Sequence, residues 1–84
     1  MGVIAAEYDE SVDALYLAIG GGEWDHLVSL DDSRMIDYAA DGSVIGIEIL
    51  SPARKGVKLD GLPFRAEVER VLLAASFRVI DGAR

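Results

Sequence analysis

Residues 37–50 read DYAADGSVIGIEIL, and the fold turns on whether this stretch is a calcium loop or a β-hairpin. The spelling invites the first reading. The EF-hand loop runs D-x-D/N-x-D/N-G-x5-E. Asp37 fills its first position, Asp41 the fifth, Gly42 the sixth and Glu48 the twelfth, with Val44 at the apolar eighth. The third position is Ala39, which has no side-chain oxygen, and the ninth is Ile45. Calcium takes several oxygens from a loop held between two helices. The flanks here alternate with period two and are rich in Ile and Val, which is strand chemistry. The stretch is therefore read as a hairpin turning at Asp41-Gly42.

Its register follows from the turn. A two-residue type I′ turn at Asp41-Gly42 sets Ala40 opposite Ser43. Tyr38 then meets Ile45, Ile36 meets Ile47, Asp37 meets Gly46 and Met35 meets Glu48. The apolar β-formers, with Ile49, gather on one face, and Asp37, Gly46, Glu48 and Met35 on the other. A one-residue slip would break that segregation.

The remaining sequence before it repeats the same rhythm. Strands are expected over 3–8 (VIAAEY), 14–19 (ALYLAI), 24–30 (WDHLVSL), 35–39 (MIDYA) and 44–50 (VIGIEIL), with turns at 9–13, 20–23 and 31–34. In the first, Glu7 faces water, and Ile4, Ala6 and Tyr8 face the other way. Turns about every ten residues mark an antiparallel meander, not βαβ units. Ser51-Pro52 ends the last strand, because proline cannot donate to a ladder. Residues 53–62 (ARKGVKLDGL) read as a basic linker. Pro63 suits the first turn of a helix. Phe64, Val68, Val71, Leu72 and Ala75 then form one apolar stripe over 63–76. Residues 77–80 (FRVI) are a candidate short strand. The expected fold is one α+β domain over 1–84: a meander of about five strands, with one C-terminal helix packed on its apolar face.

Composition narrows function mostly by exclusion. The chain has 84 residues, a net charge of −7 and no cysteine. A domain this small has a marginal core, with no disulfide or cysteine-based zinc site to supplement it. No secretory signal is visible, and no apolar run approaches the ~20 residues that span a bilayer. A cytoplasmic protein is expected. The charge is uneven: residues 1–50 hold eleven acids and a single base, Arg34, whereas 51–84 hold seven bases and four acids. Such an acidic half is unsuited to phosphate backbones, so no nucleic-acid partner is expected. Either the basic part folds over the acidic one, or the acidic face attracts a basic protein.

Site chemistry is sparse. Asp9, Glu10 and Asp13 share one turn, and Asp31 and Asp32 another, where acids are ordinary solubilising residues. His26 is the only histidine; its neighbour Asp25 should point to the opposite face of a strand. GGG at 20–22 lacks the Lys-Ser/Thr and helix of a phosphate loop. Trp24 either caps one end of the core or lies exposed at a contact surface. Asp37 and Glu48, on the outward sheet face, are the candidate surface site, with His26 as a third member. No catalytic set, cofactor or metal is assigned. Leu73 lies off the helix stripe, and together with open sheet edges it suggests a homodimer.

At this point the residues suggest a family. YD at 8–9, DALYL at 13–17, LDD at 30–32, DY at 37–38 and DGSVIGIEIL at 41–50 resemble the YuzE-like group of small bacterial domains of unknown function. The resemblance covers about 3–52 and implies a compact α+β fold with no established activity. Ala39 departs from it, standing where the family often has an acid. Small domains of this kind are sometimes the partner half of toxin–antitoxin-like pairs. The charge split, the missing catalytic set and the helix's second apolar patch point to a non-enzymatic interaction module, an acidic antitoxin-like partner or a homo-oligomer. Recurring residues such as Asp13 and Gly46 would then be structural, Asp13 at a turn and Gly46 admitting a close neighbour. The alternative is a small ligand-binding or hydrolytic protein using Asp37 and Glu48.

Overall fold

The computed structural model of the chain describes residues 2–80; the two ends of the expected domain lie outside them. The fold is α+β, with a five-stranded antiparallel sheet and a C-terminal helix. The strands are β1 (Ala5–Asp9), β2 (Ala14–Ala18), β3 (Trp24–Ser29), β4 (Arg34–Ala39) and β5 (Val44–Leu50). Their spatial order is β1-β2-β5-β4-β3. The meander is therefore in two pieces. A β1–β2 hairpin joins a β3–β4–β5 meander by pairing β2 with β5, not with β3.

The chain reaches the far edge through Ile19–Glu23, which pass the tip of the β4–β5 hairpin. Ile19 and Gly20 both donate backbone bonds to the Ile45 carbonyl there, at 2.9 and 3.3 Å. A Cβ on Gly20 would stand 3.2 Å from the Val44 carbonyl oxygen. Of the three glycines, Gly20 makes the tight approach at the end of the sheet.

The β4–β5 hairpin forms where expected, with one change. Asp37 pairs with Gly46, Ile36 with Ile47 and Met35 with Glu48. The turn, however, is not type I′, which requires positive φ at both central residues. The Gly42 N–H donates to the Ala39 carbonyl at 3.0 Å, so Ala40 and Asp41 are the central pair, and only Gly42 has positive φ, +89°. This is a turn followed by a left-handed glycine, a common three-residue hairpin loop. It sets Tyr38 opposite Val44 instead of Ile45, and a bulge restores the register at Asp37. The bulge re-aims two side chains. Val44 packs against the main core, while Ile45, though buried, lies outside it.

One face of the sheet carries the core. Leu15, Leu17 and Ile19 of β2 and its end join Ile47 and Ile49 of β5. The cover comes from the last third of the chain: α1 (Pro52–Lys55), β6 (Val57–Lys58), α2 (Arg65–Ala74) and β7 (Val79–Ile80). Val68 and Leu72 of α2 are fully buried, as the stripe requires. Ala75 is exposed, and Phe64 sits outside the helix at φ +55°. The segment read as a linker is instead a structural layer. Val57, Leu59 and Leu62 are all buried in the core, and β6 pairs in parallel with β7. Its two-residue alternation is too short to stand out among Lys, Arg and Asp. Ile4, expected on the apolar face of β1, is 66% exposed.

Two polar anchors join the layers. Arg34, on the core face of β4, is 6% exposed. Its guanidinium donates twice to Asp31 Oδ2, at 2.9 and 3.0 Å, and to the backbone carbonyls of Lys58 and Asp60. Asp13 binds the start of α1. Its carboxylate accepts the Ala53 and Arg54 N–H groups at 3.1 and 3.2 Å and the Tyr8 hydroxyl at 2.8 Å. Desolvation pushes the Asp13 carboxyl up, but these hydrogen bonds and the nearby Arg54 outweigh it and hold it below the usual range. Tyr8 also meets the Phe77 ring edge-on at 5.0 Å.

Truncating the centre of this core is expected to be severe. Leu17→Ala should cost about 2–5 kcal/mol in urea unfolding, because the fully buried site leaves a cavity. Leu73→Ala, at a position 57% exposed, should stay within about 0.5 kcal/mol.

Candidate functional site

The sheet's other face is where Asp37 and Glu48 meet. Strand alternation lays two rows across it. Glu7, Tyr16, Glu48, Met35 and Ser29 form one row, running from β1 to β3; Ala5, Ala18, Gly46, Asp37 and Leu27 form the next. Asp37 and Glu48 are thus diagonal neighbours on adjacent strands, within reach of each other. The Asp37 carboxyl acts electrostatically on that of Glu48. Asp37 is 4% exposed, and Glu48 is half-buried.

Two aromatic residues complete the arrangement. The Trp24 indole N–H donates to Asp37 Oδ1 at 3.2 Å. Its ring remains 61% exposed. Tyr16 lies across the ladder, so that a Cβ on Gly46 would overlap its hydroxyl. Only glycine at 46 leaves room for that hydroxyl above the strand. This is the close neighbour that Gly46 was expected to admit. Beside the pair, a shallow depression of about 400 Å³ opens between Glu7, Tyr16, Glu48 and Leu50.

The electrostatics follow from crowding negative groups on a partly dry surface. Burial, then the hydrogen bond and charge of Asp37, raise the Glu48 carboxyl above its ordinary value. Two carboxyls this close do not both ionise freely, so Glu48 holds its proton to a higher pH than an isolated carboxyl. Burial, then the charges of Asp37, Glu48 and Glu7, likewise raise the Tyr16 hydroxyl. The centre of the face therefore sets a carboxyl raised above its ordinary value beside a buried carboxyl that accepts the Trp24 N–H.

His26 stands apart from this pair. It pairs with Tyr38 and stacks on that ring at 5.3 Å, on the face opposite Asp37. Its Nδ1 lies 2.8 Å from Asp25 Oδ2. Asp25 was expected on the other side of the strand. A bulge between Trp24 and His26 leaves Asp25 without a cross-strand partner and lets it turn to the imidazole. Trp24 and Tyr16 are the members that sequence reasoning did not place at the site. Tyr16 arrives through the pairing of β2 with β5, which no local pattern encodes, and Trp24 through the bulged pairing of β3 with β4.

The carboxylates of the calcium-like spelling serve separate purposes. Asp41 accepts the Ser43 N–H and hydroxyl at 2.9 and 2.6 Å, closing the turn. Asp37 is engaged by Trp24, and Glu48 by Asp37. Among the described residues no three His, Asp or Glu side chains form a metal-holding group. No helix among them is long and apolar enough to cross a membrane.

Two substitutions probe this geometry. Gly46→Ala should force the Tyr16 ring aside and cost about 1–3 kcal/mol. In a Tyr16→Ala background most of that cost should vanish, a coupling that a double-mutant cycle in urea measures directly. Glu48→Gln tests the shared proton. A carboxyl raised in the folded state stabilises fully below its unfolded value, and that contribution is lost as pH rises through the folded value. Glutamine donates to Asp37 at every pH. The variant should therefore melt a few degrees above the wild type at pH 7, with the gap closing towards pH 4.

No curated protein and no solved structure matches the chain. A family model described as "Protein of unknown function (DUF2283)" matches residues 5–51, which is β1 to the end of β5 and more than half of the chain. The match agrees with the small domains of unknown function that its YD, DALYL and DGSVIGIEIL motifs resemble, and the chain belongs to the DUF2283 family.

Proposed function

We propose that the chain is a non-enzymatic protein-interaction module that docks a partner on the open face of its sheet. The observation that carries the reading is Trp24. Its ring is largely exposed, yet its indole N–H is tied to a buried carboxylate. A large aromatic surface held in one orientation costs little entropy to engage, and tryptophans of this kind dominate binding energy at interfaces. Leu27, at least 40% exposed on the same face of β3, extends the apolar surface beside it. An acidic antitoxin-like role and a homo-oligomer are both forms of this reading. The cytoplasmic setting expected of a cysteine-free chain belongs to the same proposal.

The Asp37–Glu48 pair favours a second reading, a small ligand-binding or hydrolytic protein. Glu48 is a carboxyl raised above its ordinary value by burial and by Asp37, next to a depression, which is how a general acid is prepared. Hydrolysis of a panel of simple esters and glycosides, lost in Glu48→Gln, would support it. The surroundings, Tyr16, Trp24 and Leu50, are the surface of a contact more than of a reaction centre.

Trp24→Ala separates the two. In the interaction reading it removes association, whether with a captured partner or with a second copy, while the urea midpoint changes little. Light scattering and affinity capture from native lysate provide the measurement. A wild-type protein that stays monomeric and recovers nothing beyond itself overturns the proposal.

A further inference from the structure

A half-enclosed cavity of about 370 Å³ lies on the core side of the sheet, where the β3–β4 turn meets the end of α1, β6 and Ile80 of β7. That size falls among pockets that hold small molecules. Ile49 and Val57, each 1% exposed, line it, so the cavity reaches the core. Ile80, 36% exposed, adds a third aliphatic wall. The bottom is thus suited to an apolar body and not to a hydrated ion.

The polar lining is mainly cationic. Arg34 belongs to it and is 6% exposed. A guanidinium carries five N–H groups. Two are spent on Asp31 and two on the carbonyls of Lys58 and Asp60. The fifth, on Nη2, has no acceptor among the described residues. Lys55 and Lys58, both exposed, also line the cavity. Among the described residues neither ammonium has a carboxylate partner. Asp31 is taken by Arg34, which leaves Asp32 as the one acid set against two lysines. In a chain of net charge −7 this is a local excess of positive charge.

An aliphatic bottom under unanswered cations is complementary to a molecule with the opposite pattern, an apolar body ending in an anion. A bare inorganic anion would leave the bottom unfilled. A neutral apolar molecule would leave the ammonium groups and the Arg34 N–H without the charge-assisted bonds that a carboxylate supplies. We propose that this cavity binds a small aliphatic monocarboxylate, its chain against Ile49, Val57 and Ile80 and its head held by Lys55 and Lys58, with Arg34 as a further donor. The site goes beyond the docking reading above. It lies beneath the cover layer, and Trp24 takes no part in it.

Titration of the full chain with hexanoate, followed by NMR of the methyl groups of Ile49, Val57 and Ile80, tests this. These methyls should shift together and saturate, with a dissociation constant on the order of a millimolar. Hexanol and hexylamine share the chain of hexanoate, and acetate shares its head. Each should bind at least about threefold more weakly, because each forfeits one half of the match. Lys55→Met and Lys58→Met remove the charges and keep an apolar stem. Combined, they should weaken hexanoate by about threefold to tenfold and leave hexanol unchanged, a split that a disturbed fold would not produce. Arg70→Gln removes a cation of α2 outside the cavity and should change hexanoate binding less than about twofold. No methyl shift at tens of millimolar hexanoate overturns the proposal. So does binding of hexanol, hexylamine or acetate as tight as that of hexanoate, or an unchanged affinity in the double lysine variant. Trp24→Ala should leave hexanoate binding intact whatever it does to association, so the cavity and the docking face stand or fall separately.

Discussion

The pairing of β2 with β5 is the contact on which both faces of the molecule depend. It splices the β1–β2 hairpin to the β3–β4–β5 meander, two units far apart in the chain. On the core side it sets Leu17 against Ile47 and Leu15 against Ile49. On the outer side the same register sets Tyr16 against Glu48 and Ala18 against Gly46. A shift of one residue would exchange the faces, burying Tyr16 and Glu48 and exposing the leucines. Core and candidate site are thus two readings of one ladder. The non-local closure that it requires also makes this part of the fold intrinsically slow to form.

Much of this was legible in the chain because short-range chemistry encodes it. Period-two alternation marks each of the five strands, and Asp41-Gly42 marks the hairpin. The Phe64-to-Ala75 stripe marks the helix, although the helix itself is shorter, Arg65–Ala74. Asp37 and Glu48 were placed on one outward face by alternation alone, and they meet there. What alternation cannot encode is which strands become neighbours. Trp24 lies thirteen residues from the carboxylate it binds, on the other side of a turn and a bulge. Tyr16 reaches Glu48 only through the β2–β5 splice. The core-forming part of 51–62 was illegible for another reason: Val57, Leu59 and Leu62 are spaced among charged residues in a segment too short to declare a period.

The charge asymmetry of the chain has a structural expression that its sum does not reveal. The basic part does fold against the acidic part, and Arg54 lies 3.8 Å from Asp13, while Arg34 and Asp60 meet at 4.0 Å. These contacts sit at the turns and on the core side of the sheet. The outer face takes no part in them, so its carboxyls keep their negative potential. Uneven charge here is a matter of sidedness: one surface of a thin two-layer domain is neutralised, and the other is not.

Arg34 gives the assembly of this domain a sequence in time. Its guanidinium needs the carbonyls of Lys58 and Asp60, and the leucines around it need Val57, Val68 and Leu72. All of these are synthesised after the sheet is complete. At about 5–20 residues per second, the last thirty or so residues take roughly 1.5–6 s to follow. Through that interval a nascent sheet carries an uncovered apolar face on which Arg34 of β4 has Asp31 but not yet the carbonyls of Lys58 and Asp60. That cation acts as a gatekeeper: a charge set among aliphatic strands discourages pairing with other chains. The residue that clamps the two layers together is thus also the one charge that interrupts the sheet's apolar face before its cover is made.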